Sequence, residues 1–450
     1  MSFFKKYKIE IIIIGLALLT RGIFFVVYLL KFGGAGLAYG DTSLYVRVAQ
    51  NILEHGRFSI LENAPFLPDS YIAPGYPFFL SFFRIFTASL WPIGLAQVIL
   101  GAATAFFVYR LGALWSKRIG LIAALLFALE PTMAFWAPVI LTESLYTFLF
   151  VLALYFLAVG LKRPSIRAYL FSAFVLGLAA LVRPGAQYIF YLFAVFSFVY
   201  FVSVLKNIKK TWLYLLMFIL IFNITISPWL IRNYQIWGKV KLSSAGWYIL
   251  ATLNGHEYIK FWKYFPPAKA IDPPAPQPCS ENEDTVWNFD CEDQNKNYIK
   301  AVWRANPSAA IAVHIVSLAP FFMGDGYMNI VRAFWPEVRP PGVLFGARNL
   351  AGLPSVPLEL SNVYALVFWL GKFFWLIIYG IMLYGVIASL KDKERALWIL
   401  LFFGIIASIA LPAGAIAYAR YRFPVNPLIF LMFAYGVDHL LKKYRLKSYE

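Results

Sequence analysis

An all-α polytopic membrane protein is the fold class that this sequence predicts, and three observations carry the prediction. First, 61% of the 450 residues are hydrophobic and 14% are charged, whereas soluble domains are about half apolar and about a quarter charged. Second, the apolar residues gather into ten runs, most of them of the roughly 17–25 residues that a bilayer crossing requires. Third, eighteen of the 40 lysines and arginines fall in short connections that share one side if the runs alternate. The same composition, with its two cysteines, excludes disorder, collagen-like repetition and a disulfide scaffold.

The runs cover residues 9–30, 91–114, 119–138, 139–161, 168–182, 187–205, 212–231, 362–390, 396–412 and 423–441. With the N-terminus inside, the inner pieces hold Lys5, Lys6 and Lys8; Lys117 and Arg118; Lys162, Arg163 and Arg167; Lys206, Lys209 and Lys210; Lys391, Lys393 and Arg395; and Lys442, Lys443, Arg445 and Lys447. Short basic loops stay cytoplasmic, so both termini are expected inside. The net charge of +18 would suggest nucleic acid in a soluble protein. Here topology explains it, and membrane lipids, not nucleic acid, are the expected surroundings. The first run is long enough to span and no small-residue cleavage pattern follows it, so it reads as an anchor.

Two segments are left outside. In the first, 31–90, Leu44, Val48 and Ile52 share one face of a helix over 42–54, with Ser43, Arg47, Gln50 and Glu54 on another. Residues 74–90 are apolar nearly all round and contain Arg84. Counting them as a span would reverse every later loop, so both stretches are expected to lie along the membrane surface. The second segment, 232–361, is expected to be the main extramembrane body, with a third surface helix at 308–322. Three regions follow: a membrane core over 1–231 with its external loop 31–90, the external region 232–361, and C-terminal membrane helices over 362–450. Cys279 and Cys291 share the second segment. An oxidising exterior would let them bridge, worth roughly 3 kcal/mol in the chain-entropy model; otherwise they are two free thiols. Glu281, Glu283, Asp284 and Asp290 between them fit no metal spacing and read as a solvated loop.

The residues that invite chemistry lie at the outer side. Asp41 follows the first span and begins the 42–54 helix. It reads as an N-cap, a task open to Thr42 and Ser43 as well, or as a carboxylate able to take a proton from a substrate hydroxyl. Glu143 stands at the outer end of the fourth span, and Glu130 lies deeper in the third, before Pro131. Acids at membrane depth are costly and face interior cavities by default; the other reading is a hydrogen-bonded brace for the hairpin. Arg183 and Arg232 end the fifth and seventh spans outside, at the level of a lipid phosphate that a guanidinium grips bidentately. Snorkelling to bilayer lipid is the alternative. Arg420 and Arg422 share this reading, and Arg21, within the first span, needs a pairing neighbour. The four histidines show no metal spacing, and no glycine-rich phosphate loop or GxSxG elbow occurs.

Six pieces, in order, now make a pattern: Gly40-Asp41 with the helix ending Asn51-Ile52-Leu53-Glu54-His55-Gly56; Pro74-Gly75-Tyr76-Pro77; Leu141-Thr142-Glu143; Leu181-Val182-Arg183-Pro184; Ser227-Pro228-Trp229-Leu230-Ile231-Arg232-Asn233-Tyr234; and Arg420-Tyr421-Arg422-Phe423-Pro424. This series resembles the GT-C glycosyltransferases, in the bacterial family 39-like group of protein O-mannosyltransferases and the aminoarabinose transferase of lipid A. The resemblance implies a GT-C-type seven-span core with surface-lying helices in the first external loop, followed by further spans. It implies that a hexose or pentose passes, with inversion, from a polyprenyl-phosphate donor to a hydroxyl of a lipid, glycan or protein acceptor outside the cell membrane. Asp41 matches the catalytic base of that group, and Glu143 is the second catalytic candidate. Tyr45, Tyr76, Arg84, Arg183, Arg232, Asn233 and Arg420 are the substrate-binding candidates.

Two departures stand out. Protein mannosyltransferases carry an Asp-Glu pair where this chain has Asp41-Thr42. Relatives often carry a basic residue just before the Pro-x-Tyr-Pro motif, where this chain has Ile72 and Ala73. Phosphate gripping then falls to Arg183, Arg232 and Arg84. A lipid phosphate leaves readily, so one base plus cations suffices and no cofactor is required. A divalent metal would need Asp41 and Glu143 to converge. The rival class, a transporter or flippase of a lipid-linked or small substrate, would place its binding groups near the bilayer midplane and show inverted repeats; the candidates here cluster at the outer face.

Overall fold

Backbone in hydrocarbon has no water to bond, so apolar runs of this length must close their hydrogen bonds within helices. A computed structural model describes residues 7–206, 208–267, 272–275, 287–324, 326–335, 363–414 and 419–447. Its helices are α1 (Lys8–Phe32), α2 (Thr42–His55), α3 (Gly75–Arg84), α4 (Trp91–Gly112), α5 (Lys117–Leu129), α6 (Pro131–Trp136), α7 (Thr142–Lys162), α8 (Ile166–Val182), α9 (Ala186–Tyr200) and α10 (Ile208–Trp237). There follow α11 (Ala245–Ile249), α12 (Gly255–Phe261), α13 (Glu292–Ala305), α14 (Pro307–Met323), α15 (Tyr327–Phe334), α16 (Val363–Ser389), α17 (Lys393–Ala413) and α18 (Asn426–Lys447). No strand occurs among the described residues.

Among the described residues eight helices are long and apolar enough to cross a membrane, and they coincide with eight of the ten expected runs. The other two are shorter: α8 has 17 residues, and the third run is broken. The expected surface helices of the first external loop are α2 and α3. In the core α7 packs on α8 and α4, α1 on α4, and α18 on α5 and α16.

Proline explains the break. Pro131 lacks an N–H and pushes its predecessor out of the helical region; Glu130 is accordingly extended, at φ −63° and ψ 119°. The carbonyls thus freed at the end of α5 are taken by the neighbour that Arg21 required: its guanidinium donates to the Phe127 oxygen at 3.0 Å and the Ala128 oxygen at 3.1 Å. Glu130 caps the next helix, its Oε2 accepting the Met133 amide at 2.7 Å. The brace reading of Glu130 is what the contacts give.

The segment after α10 has a small core of its own, in which Tyr258, Phe261, Ile299, Val302 and Val313 are buried together. Cys291 within it is disulfide-bonded; Cys279, Glu281, Glu283 and Asp284 lie outside the described residues. The helix expected at 308–322 is α14, which turns by 101° from the helical stretch before it and packs on α12 and α17.

Candidate active site

The site is assembled by the loops at one end of the bundle. After α1 the chain makes a short turn and reaches Gly40, whose φ of +54° is a left-handed value that costs glycine little. Asp41 then occupies the N-cap position of α2, but its side chain makes no capping bond. Thr42 beside it is buried; its hydroxyl accepts the Tyr39 amide at 2.9 Å and lies 2.8 Å from both the Tyr39 and the Ile140 oxygens, between which it shares its one proton. The residue that breaks the expected acidic pair is therefore a staple between the Asp41 turn and the loop leading to Glu143. A second bond, from the Ile140 amide to the Leu37 oxygen at 2.8 Å, joins the same two loops.

That loop delivers Glu143 into the first turn of α7, where it is only 3% exposed. Two guanidiniums hold it. Arg183 Nη2 lies 2.7 Å from Glu143 Oε1 and Arg420 Nε lies 3.2 Å from the same oxygen. Arg183 also donates from Nε to Thr142 Oγ1 at 2.7 Å, which fixes its plane. Its Nη1 has no partner among the described residues. The Arg420 guanidinium sits among the rings of Tyr39, Trp136 and Tyr421, and a Cβ added to Gly40 would lie 4.0 Å from its Nη1. Arg420 is thus the neighbour of the Asp41 turn.

Asp41 itself is exposed, and among the described residues its carboxylate has no hydrogen-bond or ion-pair partner. Burial raises the pKa of Tyr45 and Tyr71, and the nearby negative charge of Asp41 raises both further. Tyr45 and Tyr71 pack in one small cluster with Trp287, and Tyr71 also meets the edge of Tyr248 at 5.5 Å. The external region is pinned beside them, where Asn288 Oδ1 accepts the Ser70 amide at 2.8 Å.

The remaining candidates are placed in the walls. Tyr76 is fully buried and donates to Gln97 Oε1 at 2.7 Å, while Gln97 donates to the Val139 oxygen at 2.6 Å. It therefore braces the loop before Glu143 from behind. Gly75 makes that approach possible, because a Cβ there would fall 2.9 Å from the Leu181 carbonyl carbon; the Pro-Gly-Tyr-Pro and Leu-Val-Arg-Pro motifs are pressed together. Arg232 donates to the Asp69 oxygen at 2.7 Å and to Asn233 Oδ1 at 2.8 Å, with its guanidinium 4.4 Å from the Trp229 ring centre. Asn233, fully buried, donates to the Lys241 oxygen at 2.8 Å. Arg84 donates to the Ala88 oxygen at 3.2 Å. Of the arginines expected to grip phosphate, the geometry brings only Arg183 and Arg420 to Glu143; Arg232 and Arg84 hold backbone. Gln97 and Tyr71 went unnoticed in the sequence, because a polar residue in an apolar span and a tyrosine in a loop carry no periodic signal.

Arg422, two residues from Arg420, serves elsewhere. It is buried and donates to the oxygens of Phe321, Phe322 and Gly324 at the end of α14, and from Nε to Asn426 Oδ1. Among the described residues no three His, Cys, Asp or Glu side chains converge on a metal-sized site, and Glu143 faces guanidiniums, not Asp41.

The sequence pattern of the family described as dolichyl-phosphate-mannose-protein mannosyltransferase matches residues 72–231. No curated protein matches the chain. Among solved structures it is similar to the oligosaccharyltransferase of Archaeoglobus fulgidus in the apo form, at 16% identity and a TM-score of 0.56 over 100% of this chain and 52% of that one. The same enzyme tethered with an acceptor peptide containing the NVT sequon matches at 16% identity and 0.56, over 99% and 51%. The archaeal oligosaccharyltransferase AglB from Archaeoglobus fulgidus, in complex with an inhibitory peptide and a dolichol-phosphate, matches at 16% and 0.57, over 99% and 52%. The chain spans about half the length of these proteins.

Proposed function

We propose, on the premise that the chain carries the GT-C glycosyltransferase fold, that it is a multi-pass membrane glycosyltransferase moving a sugar from a polyprenyl-phosphate donor to an acceptor hydroxyl on the outer side. The observation that carries the reading is the pairing of an exposed, unpartnered Asp41 with the buried Glu143–Arg183–Arg420 cluster, joined through the Thr42–Ile140 bond. The solved relative that holds a dolichol-phosphate supports a lipid-phosphate donor.

In this reading the acceptor oxygen attacks the anomeric carbon while Asp41 takes its proton. The bond from that carbon to the phosphate oxygen breaks, its electron pair stays on the phosphate, and a single displacement inverts the centre. Arg183, with its open Nη1, and Arg420 neutralise the leaving phosphate. Glu143 orients the two guanidiniums; it is a positioning residue. The inner placement of both termini, the outer placement of the site, and the division at residues 231 and 361 belong to the same proposal.

Asp41→Asn tests it. The carboxylate has no partner among the described residues, so thermal stability in detergent is expected to stay within about 0.5 kcal/mol of wild type. Transfer from a polyprenyl-phosphate sugar falls by about 10²–10⁴, the range of general base catalysis. Wild-type turnover by the purified variant overturns the role, and accumulation of substrate in proteoliposomes without new glycosidic bonds favours a transporter.

A further inference from the structure

We propose that Tyr71, Tyr248 and Trp287 form a platform for the sugar ring that bears the acceptor hydroxyl, so that the acceptor is a saccharide and not a peptide. The inference rests on the glycosyltransferase reading above and names the substrate class of the same site. The three rings come from segments far apart in the chain: the loop before α3, helix α11 and the turn before α13.

Short bonds hold these segments together. Asn288 Oδ1 accepts the Ser70 amide at 2.8 Å, and the Ser244 amide donates to the Ser70 oxygen at 3.0 Å. The Ser243 hydroxyl donates to the Tyr71 oxygen at 2.6 Å, and the Ser244 hydroxyl donates to the Trp287 oxygen. The ring centre of Tyr71 therefore lies 5.5 Å from those of Tyr248 and Trp287, which are 5.9 Å apart. Their planes meet at 84°, 46° and 56°, so no pair spends its faces on flat stacking. Each ring is half-buried. The hydroxyls of Tyr71 and Tyr248 and the indole N–H of Trp287 have no hydrogen-bond partner among the described residues, and none of the three is shut away from solvent.

The platform adjoins the carboxylate assigned to take the proton. Tyr71 and Trp287 pack with Tyr45 against the buried Val48 of α2. Tyr45 follows Asp41 by one turn, its amide donating to the Asp41 oxygen at 3.2 Å, and the charge of Asp41 acts on both Tyr45 and Tyr71. A pyranose has an apolar C–H face and a rim of hydroxyls. Aromatic rings match the first, and phenol and indole donors match the second. A peptide would need partners for its main chain. The backbone groups of Ser70, Tyr71, Ser244 and Trp287 named above are spent on one another, and no strand edge occurs among the described residues.

The test is saturation-transfer difference NMR of the full chain in nanodiscs. The probes are methyl β-D-glucopyranoside, methyl α-D-mannopyranoside and methyl N-acetyl-β-D-glucosaminide, against the peptide acetyl-Ala-Thr-Ala-amide. Wild type is expected to saturate the ring C–H protons of at least one glycoside and none of the peptide. Tyr248→Leu and Trp287→Leu each raise the dissociation constant of that glycoside about three- to tenfold, the worth of one aromatic contact. Tyr71→Phe, which keeps the ring and removes the hydroxyl, raises it about two- to fivefold. Saturation of the peptide alone, or a dissociation constant unchanged in all three variants, overturns the proposal. If the variants fail to fold, photo-crosslinking of wild type with a glycoside carrying a diazirine decides. Adducts within 69–72, 243–248 or 287–289 support the platform, and adducts confined to other peptides overturn it. Activity separates the two readings. Transfer from a polyprenyl-phosphate sugar onto the peptide upholds the enzyme and overturns the saccharide acceptor, whereas glycoside binding at the platform without transfer to any glycoside upholds the platform and counts against the enzyme.

Discussion

Glu130 and Glu143 stand at the two ends of the same short stretch, both buried and both near arginines, yet they do different work. Glu130 caps α6, and the arginines around it, Arg21 and Arg422, direct their donors to backbone carbonyls at the ends of α5 and α14. At Glu143 the arginines hold a carboxylate, and Arg183 Nη1 has no partner among the described residues. A carbonyl-bound guanidinium repairs a helix end; a carboxylate-bound one with a spare donor can admit a phosphate. Both carboxylates are buried with arginines nearby, and the partner of the guanidinium distinguishes the two centres.

The strongest way to break this contrast is to remove one arginine from each centre. Arg422→Gln leaves buried carbonyls without donors and is expected to cost about 3–5 kcal/mol, read as a fall in thermal midpoint in detergent. Arg183→Gln, at a side chain 25% exposed, is expected to cost about 1–2 kcal/mol while transfer falls by about 10² or more. If Arg183→Gln destabilises as much as Arg422→Gln, the distinction between brace and site is lost.

A third buried carboxyl, Asp69, extends the comparison to the loop around the site. Burial pushes its pKa from an ordinary 3.8 up to about 6, against the opposing pull of the Ile72 and Tyr71 amides and Arg232. Between those values the folded chain holds a proton that the unfolded chain has lost, so stability falls as pH rises through the window. The penalty is absent below about pH 4 and complete above about pH 6, and amounts to about 3 kcal/mol at 1.36 kcal/mol per pKa unit. Asp69→Asn can keep the Ile72 amide bond through its oxygen. It is expected to flatten thermal stability between pH 4 and 6, and an unchanged slope would remove Asp69 as its source.

These centres were unequally legible in the sequence. Long apolar runs and basic loops predict the spans because hydrocarbon admits little besides a helix, and parity alone keeps α3 out of the crossing count. Single chemistry-bearing residues such as Asp41 and Glu143 could be named from their depth. Their division of labour could not, because it depends on contacts between distant segments. Arg420 and Arg422 are two residues apart and share one expectation, yet a 3₁₀ turn over Ala419–Val425 sends one to Glu143 and the other to α14. The motif around Tyr76 predicts a contact with substrate; the Gln97 that claims its hydroxyl comes from α4 and leaves no local trace. In the sequence Thr42 stands only where an acid is missing; in the structure its hydroxyl joins Asp41's turn to the Glu143 loop.

The finest test concerns coupling. If Glu143 acts by aiming Arg183 and Arg420, the two sides of each ion pair must be energetically linked, whereas Glu130 and Arg422 are linked only through space. A double-mutant cycle of Glu143→Gln with Arg420→Gln is expected to show a coupling energy of about 1–3 kcal/mol, as groups in contact do. The corresponding cycle of Glu130→Gln with Arg422→Gln should give about 0.5 kcal/mol or less, as for groups without a shared bond. Thermal unfolding in detergent reads both. Equal coupling would mean that Glu130 holds its arginine as Glu143 does, and the difference in function would then rest on exposure alone.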